Sequence, residues 1–467
     1  MKVLVVLTNY GTLHDIYLNR LLEEYGKMPY DVDIVVLSNV PKTLGSDIEV
    51  VLALPPKNPW AFPFAHRKIL AERMSLYDLF IYCEDDTLYT QRNIEAFLRA
   101  TEVLPEDEIA GFLNTETDSK DNQYFTNVHF CFHWDPTSVK TRGEYTFAYF
   151  TNEQSASYVL TARHLRHAIE SGGFLVEPHE GRYGLCESAA NDPYTQCGFR
   201  KMICLSHLDD FLIRHLPGIK FASRPFSARS EFCRQIDALL RVEKNGRPRI
   251  LLFDPETKML HRKWSKDYYE PVRSETLSLM PAGIRSVLSI GCGWGATEGH
   301  LVQKGIRVVG VPMDSVIAAC AEAKGVEIVY GDFKSAREKL TNDRFDCILL
   351  SNVLHLVRDP VAVLSIFAEL LSPQGLVIAS TPNLGRMPIW LGRLRRKPYY
   401  RELGSYEKTG LHLTSSRLVR KWFNHCRLNV DRLEYIIPPR AEAIHRLLGG
   451  LADPLVGEEL IARGRKS

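Results

Sequence analysis

The stretch that most constrains this chain is residues 287–295, where the run Val287 to Ile290 is broken by glycines at 291, 293 and 295. The run reads as a short buried strand, and a helical segment from Thr297 to Gln303 comes after it. Glycine permits positive φ and lets a ligand approach the backbone without meeting a Cβ. At the carboxyl end of a strand, where open α/β sheets bind their ligands, a G-x-G-x-G turn is a candidate binding turn. Taken alone it is as readily a packing device.

The residues beyond the turn narrow the choice. Arg307 to Val311 reads as a second strand, Ser315 to Ala323 as a helix, and Glu327 to Tyr330 as a third strand ended by Gly331 and Asp332. Phe345 to Leu350 is a fourth strand, followed by Ser351, Asn352, Val353, Leu354 and His355. The helix Pro360 to Leu371 leads through a turn at Ser372 to Gly375 into a fifth strand, Leu376 to Ser380. The helix Ser416 to Phe423 and the strand Val430 to Ile436 close the pattern, and the tail from Arg440 reads as helical. Such alternation implies an α/β fold with a parallel sheet and right-handed crossovers.

In the order of these elements and the residues at the strand ends, residues 280–440 resemble a class I S-adenosylmethionine-dependent methyltransferase, with its Rossmann-like fold. The resemblance implies S-adenosylmethionine as cofactor, bound by Gly291, Gly293 and Gly295, with Asp332 reading the adenine amino group and Asn352 facing the reacting methyl. Two positions depart from the family pattern. Ser289 stands where an acidic residue usually precedes the first glycine, and Pro312 where an acidic residue usually grips the ribose, so Asp314 is the nearest carboxylate for that role. A nicotinamide would require G-x-G-x-x-G with an acidic residue about twenty positions on, which favours the methyl donor. Methylation of a hydroxyl needs a group to take its proton, and His355 is the side chain there that titrates near neutrality. Its plainer role is to pack the start of the next helix.

The amino-terminal part reads differently. Lys2 to Leu7, Asp15 to Tyr25 and Val32 to Leu37 form a βαβ opening, and the helix Arg67 to Met74 precedes a buried strand, Asp78 to Cys83, that ends in Glu84, Asp85 and Asp86. Three carboxylates in a row repel one another and raise one another's pKa. Mg²⁺ or Mn²⁺, which takes oxygen ligands and bridges carboxylates to phosphates, removes that cost. A solvated acidic turn before the helix Gln91 to Ala100 is the alternative.

This arrangement resembles the GT-A glycosyltransferases over residues 1–225, an α/β nucleotide-sugar-binding fold. The resemblance implies a nucleotide-sugar donor and Mn²⁺ or Mg²⁺ held by Glu84 and Asp86, with His207 as an additional ligand. For an inverting transfer it implies a carboxylate base, Glu187, with Glu180 and Glu153 as rivals. Phe147 to Phe150 and Ala156 to Leu160 read as strands, Thr161 as the cap of the helix Ala162 to Ile169, and the irregular stretch from Ser171 to Arg182 as an acceptor loop.

The expected organisation is a glycosyltransferase domain at 1–225, a connecting segment at 226–279 and a methyltransferase domain at 280–467. A formal charge of +2 without a recurring basic stripe argues against nucleic acid as a partner. Ten cysteines without a C-x-x-C pair argue for reduced thiols and against a disulfide framework, hence a cytoplasmic setting. No stretch approaches the length of an apolar membrane span. Met387 to Tyr400 interleaves basic and aromatic residues, as a lid helix or as a site for a sugar, a lipid diphosphate or the inner membrane face. The reading is a bifunctional transferase that extends and methylates one glycan or small-molecule acceptor. The alternatives are a methyltransferase whose amino-terminal domain only binds a nucleotide or partner, and a glycosyltransferase whose carboxyl-terminal domain is an assembly module.

Overall fold

Val3 to Leu7 is buried at every residue, the pattern of a parallel strand covered on both faces. In this computed structural model, which describes residues 1–467 except 54–56, 218–222, 396, 398–399 and 467, the strand Lys2–Asn9 is the centre of a five-stranded sheet. Asp31–Ser38 and Leu79–Glu84 flank it in parallel, Ile48–Leu52 extends one side in parallel, and Ser157–Thr161 closes the other side antiparallel. Of the basic and aromatic stretch Met387 to Tyr400, Arg396, Pro398 and Tyr399 lie outside the described residues.

By internal contacts the chain forms two units, 1–128 with 133–244, and 129–132 with 245–467. In the first unit a short antiparallel pairing positions chemistry. Leu212–His215 pairs with Thr87–Leu88, so that His215 lies opposite Thr87 and the Leu216 amide donates to the Asp86 carbonyl. The helix Gln91–Val103 starts there, capped by Thr90, whose side chain accepts from the Asn93 amide. Thr161 caps Ala162–Glu170 in the same way.

The second unit is built on the strand Ser286–Cys292. Its seven-stranded sheet runs, from one edge to the other, Glu327–Ile328, Arg307–Pro312, Ser286–Cys292, Phe345–Ser351, Leu371–Pro382, Glu459–Lys466 and Leu428–Ile436. Glu459–Lys466 is antiparallel to both of its neighbours, and the other pairings are parallel. Alternate side chains feed two cores. Leu288, Ile290, Val309, Ile348 and Phe367 fill one face, and Val287, Leu301, Val308, Cys347 and Ile378 the other. Burying each such side chain contributes about 1.5–3 kcal/mol, so both faces of the sheet are held firmly beneath the strand ends.

Two expectations are corrected. The tail from Arg440 is helical only at Glu442–Leu447 and Asp453–Val456, after which the chain re-enters the sheet as Glu459–Lys466. Its Arg463 and Arg465 concealed a strand, and both are carried by Asp431 on the neighbouring strand while Leu460, Ile461 and Ala462 are buried. The turn at Ser372 to Gly375 belongs to the long strand Leu371–Pro382, where a register irregularity between Phe345 and Cys347 absorbs it.

Candidate functional site

The three glycines of the turn after Ser286–Cys292 meet different needs. Gly291 has φ +71° and Gly295 φ +80°, both in the left-handed region that favours glycine. Gly293 is a matter of space. A Cβ built there would lie 2.2 Å from the Tyr268 carbonyl oxygen, because the segment Ser265 to Arg273 runs directly across the turn. The Trp294 amide donates to that oxygen at 2.9 Å, and the Trp294 indole donates to the Glu270 carbonyl at 2.8 Å.

Ion pairs clamp the crossing segment. Lys266, almost fully buried, donates to a Glu270 carboxylate oxygen at 2.5 Å and to the Ser351 carbonyl at 2.9 Å. Asn352 donates to the other Glu270 oxygen at 3.0 Å and to Glu459 at 3.3 Å, and Arg273 pairs with both carboxylates. Burial would raise the Glu270 pKa, but Lys266 and Arg273 outweigh it and hold the group below its ordinary value. Burial wins at Glu459, whose pKa is raised. Lys266, Glu270, Arg273 and Glu459 had no motif to announce them. Lys266, Glu270 and Arg273 lay in the apparent linker among mixed charged, aromatic and proline residues, and Glu459 lay in the tail read as helical.

Each residue singled out in the sequence has a definite place. Asp314 is buried and turned into its own bend, one carboxylate oxygen accepting from the Val316 and Ile317 amides at 2.7 and 2.8 Å. Asp332 is exposed and caps the helix Phe333–Lys339, and the Ser335 amide and hydroxyl hold its pKa below the ordinary value. Ser289 donates to Glu298 at 2.6 Å, so a buried carboxylate from the following helix stands beside the position where the acidic residue was missing. Asn352 has φ +52°, a conformation asparagine tolerates better than most residues.

His355 faces a cleft of about 630 Å³ that it shares with Asn352, Glu270, Arg386 and Glu459. Its Nε2 lies 2.8 Å from the Trp264 carbonyl, which only accepts, so Nε2 carries the proton and Nδ1 keeps a lone pair. Nδ1 has no hydrogen-bond partner among the described residues. Burial pushes the pKa of His355 down to about 4. At neutral pH it is an uncharged acceptor and a weak base.

In the first unit the acidic triplet divides. Asp85 and Asp86 converge with His14, their ligand-capable atoms all within 4.8 Å of one another. His14 Nδ1 is 3.0 Å from Asp85 and 3.6 Å from Asp86, Asn9 donates to Asp85 at 2.7 Å, and His215 Nε2 is 3.6 Å from Asp86. Glu84 is not part of that group: it accepts from the Cys186 thiol at 3.6 Å, and burial together with Asp86 and Asp85 pushes its pKa up to about 8. His207 is not brought to the cluster. It is exposed, bonded to Ser206 and beside the Tyr145 ring. Sequence order favoured His207 because it follows a strand, whereas strand pairing delivers His215.

A pocket of about 330 Å³ opens beside this cluster, walled by Tyr10, Trp60, Phe62 and Pro63 and floored by Glu84, Asp85 and Asp86. Trp60 leaves 68% of its surface exposed there, a flat face available for stacking. Glu187 is exposed in the first turn of Leu185–Thr195 and close enough for its charge to add to the rise at Glu84. Of its rivals, Glu153 is buried against the Tyr149 and Tyr183 hydroxyls and Arg182, and Glu180 is exposed.

The profile of a family described as "Methyltransferase domain" matches residues 229–448. A ubiquinone biosynthesis O-methyltransferase of Cereibacter sphaeroides is 32% identical over 131 residues, 27% of this chain and 50% of that protein. The chain thus spans about half the length of the curated relatives that match it over this region. A ubiquinone biosynthesis O-methyltransferase of Xanthomonas axonopodis pv. citri is 30% identical over 201 residues, 36% of this chain and 83% of that protein. Among solved structures, a SAM-dependent methyltransferase from Archaeoglobus fulgidus aligns with 39% of this chain and 87% of its own at 16% identity, with a TM-score of 0.31.

Proposed function

Because the chain belongs, through residues 229–448, to the methyltransferase-domain family, we propose that its carboxyl-terminal unit is an S-adenosylmethionine-dependent methyltransferase. The proposed acceptor is a hydroxyl of a glycan or glycosylated small molecule. The observation that carries this reading is the G-x-G-x-G turn at the carboxyl end of Ser286–Cys292, third strand from the edge of a seven-stranded sheet with a single antiparallel member. When bound, S-adenosylmethionine supplies an electrophilic methyl group on sulfur. Gly291, Gly293 and Gly295 are proposed to offer it backbone, Asp332 and Asp314 to address its adenine and ribose, and Asn352 to line the acceptor side. His355 is neutral and its Nδ1 is buried, so it is proposed to shape the acceptor side of the cleft more than to deprotonate a hydroxyl.

The fit to the cofactor is incomplete in this conformation. The residue types are present, but the cavity at the turn is about 10 Å³, room for about one water, where small-molecule pockets measure about 300–1,000 Å³. As it stands the turn does not admit the cofactor. Whole chain incubated with methyl-labelled S-adenosylmethionine and a panel of glycosides is expected to label a glycoside, with Asp332→Ala lowering the yield at least about tenfold. Label appearing on no hydroxyl acceptor at saturating cofactor would remove the reading.

A second reading is carried by the His14, Asp85 and Asp86 cluster. We propose that the amino-terminal unit is a GT-A-type glycosyltransferase in which these residues, with His215, hold Mn²⁺ or Mg²⁺ against the diphosphate of a nucleotide-sugar. Trp60 and Tyr10, which line the pocket, are proposed to stack on its base, and Glu187 is proposed to receive the acceptor proton. Joining the two activities on one chain raises the local concentration of the shared acceptor. Met387, Trp390 and Leu394, exposed at helical spacing beside Arg393, support an acceptor carried on a lipid. Calorimetry with Mn²⁺ is expected to show affinity falling at least about tenfold in Asp86→Asn, in step with nucleotide-sugar turnover. Unchanged Mn²⁺ affinity in that variant would dissociate the cluster from metal binding.

A further inference from the structure

The segment Ser265 to Arg273 packs directly against the glycine turn. Close approach of a backbone to a glycine is the usual provision for a ligand, and here the approaching backbone is the chain's own. The Tyr268 carbonyl occupies the space over Gly293 and takes the hydrogen bond of the Trp294 amide. The Lys266 ammonium bonds the Ser351 carbonyl at the end of the adjacent strand, so a cation and an acceptor from the same segment satisfy both strand ends. A second crossing lies beside it. The Ile250 carbonyl accepts from the Ser315 amide, and the Leu252 amide donates to the Met313 carbonyl, which pairs residues 250–252 with the stretch after Arg307–Pro312.

The crossing also differs from a loose loop in how it is fastened. Glu270 receives Lys266 from the segment itself and Asn352 from the sheet, while its main chain holds the Trp294 indole. It therefore touches both the closed turn and the open cleft of about 630 Å³ next to it. Disturbing this one residue loosens the segment from both sides.

We propose that Ser265 to Arg273 is an internal plug, latched by the Lys266–Glu270 pair, which fills the cofactor cradle and must leave before S-adenosylmethionine can bind. The inference rests on the methyl-donor reading and adds its control. A protein whose binding-competent form is a minor fraction binds with an affinity reduced by that fraction. Cofactor binding thereby becomes conditional on whatever enters the adjoining cleft and engages Glu270.

The test uses the full chain and S-adenosylhomocysteine, followed by calorimetry and by hydrogen exchange read peptide by peptide. Lys266→Met with Glu270→Gln removes the latch without leaving a lone buried charge, and it is expected to bind at least about tenfold more tightly than the wild type, equivalent to about 1.4 kcal/mol. In the wild type, binding is expected to speed exchange in residues 265–273 while slowing it in 287–295. Should the double variant fold poorly, that opposite response in the wild type tests the plug alone. Binding of equal strength in both proteins, with residues 265–273 protected by the ligand, would overturn the plug and leave the methyl-donor reading standing. Absence of binding in both proteins would overturn the methyl-donor reading, and the plug with it.

Discussion

Gly293→Ala is expected to destabilise the carboxyl-terminal unit by about 3 kcal/mol or more, a forced overpacking against main chain. The new Cβ would stand 2.2 Å from the Tyr268 oxygen and 2.9 Å from its carbonyl carbon, and neither atom can swing aside as a side chain would. Relief requires the whole segment from Ser265 to Arg273 to lift, which breaks the Trp294 to Tyr268 bond and strains the Lys266 to Glu270 pair. Gly305→Ala is the comparison. Gly305 has φ +80° but open space around it, so its cost is conformational, about 1–2 kcal/mol. Urea denaturation followed by tryptophan emission measures both. Equal losses would mean that the segment yields freely to a methyl group at Gly293.

Arg67→Ala is expected to cost the amino-terminal unit about 3–5 kcal/mol, the range for breaking one partner out of a buried ion pair. Arg67 is 2% exposed. Its guanidinium pairs with Asp192 at 2.8 Å and donates to the carbonyls of Phe174, Ser188 and Ala189. Truncation leaves a carboxylate at 0% exposure with the His179 ring, at 3.0 Å, and the Thr195 hydroxyl, donating at 2.9 Å, to answer it. Arg67→Ala with Asp192→Ala should cost less than the sum of the two single changes, because the second removes the charge the first had stranded. Strict additivity would show that the pair is not coupled. The loss matters beyond stability, since Arg67 ties His66–Glu72 to Leu185–Thr195, the helix that presents Cys186 and Glu187 to the acidic pocket.

What was legible in the sequence was local. Val287 to Ile290 with its glycines, and the alternation of elements beyond them, announced a parallel sheet because each strand and each turn carries its own signal within a few residues. The acidic triplet was equally plain. What it could not announce was direction. Glu84, Asp85 and Asp86 are adjacent in sequence, but the strand that ends at Glu84 sends that side chain toward Cys186 and the next two toward His14. His14 lies far back along the chain and His215 far ahead, and only strand pairing brings them to Asp85 and Asp86.

The same reason hid the plug. Lys266, Glu270 and Arg273 look like solvated linker charges until the fold places them over the glycine turn, where Lys266 is buried, Glu270 and Arg273 are half-buried, and all three are paired. His355 was read as a titrating base from its residue type, yet its environment sets its protonation, and burial keeps it neutral. Residue type gave the chemistry on offer. Long-range contacts decided how much of it is used.

The place of Glu459–Lys466 in the sheet has a consequence for how the protein is made. Leu371–Pro382 and Leu428–Ile436 are joined only through that strand, which comes after both in the chain. At about 5–20 residues per second of synthesis, Leu371–Pro382 waits roughly several seconds on the ribosome with one side unpaired. During that interval it is an exposed edge strand rich in buried-type residues, the kind of surface that pairs with other chains. Between the emergence of Pro382 and that of Lys466 this edge is therefore open to pairing with other chains.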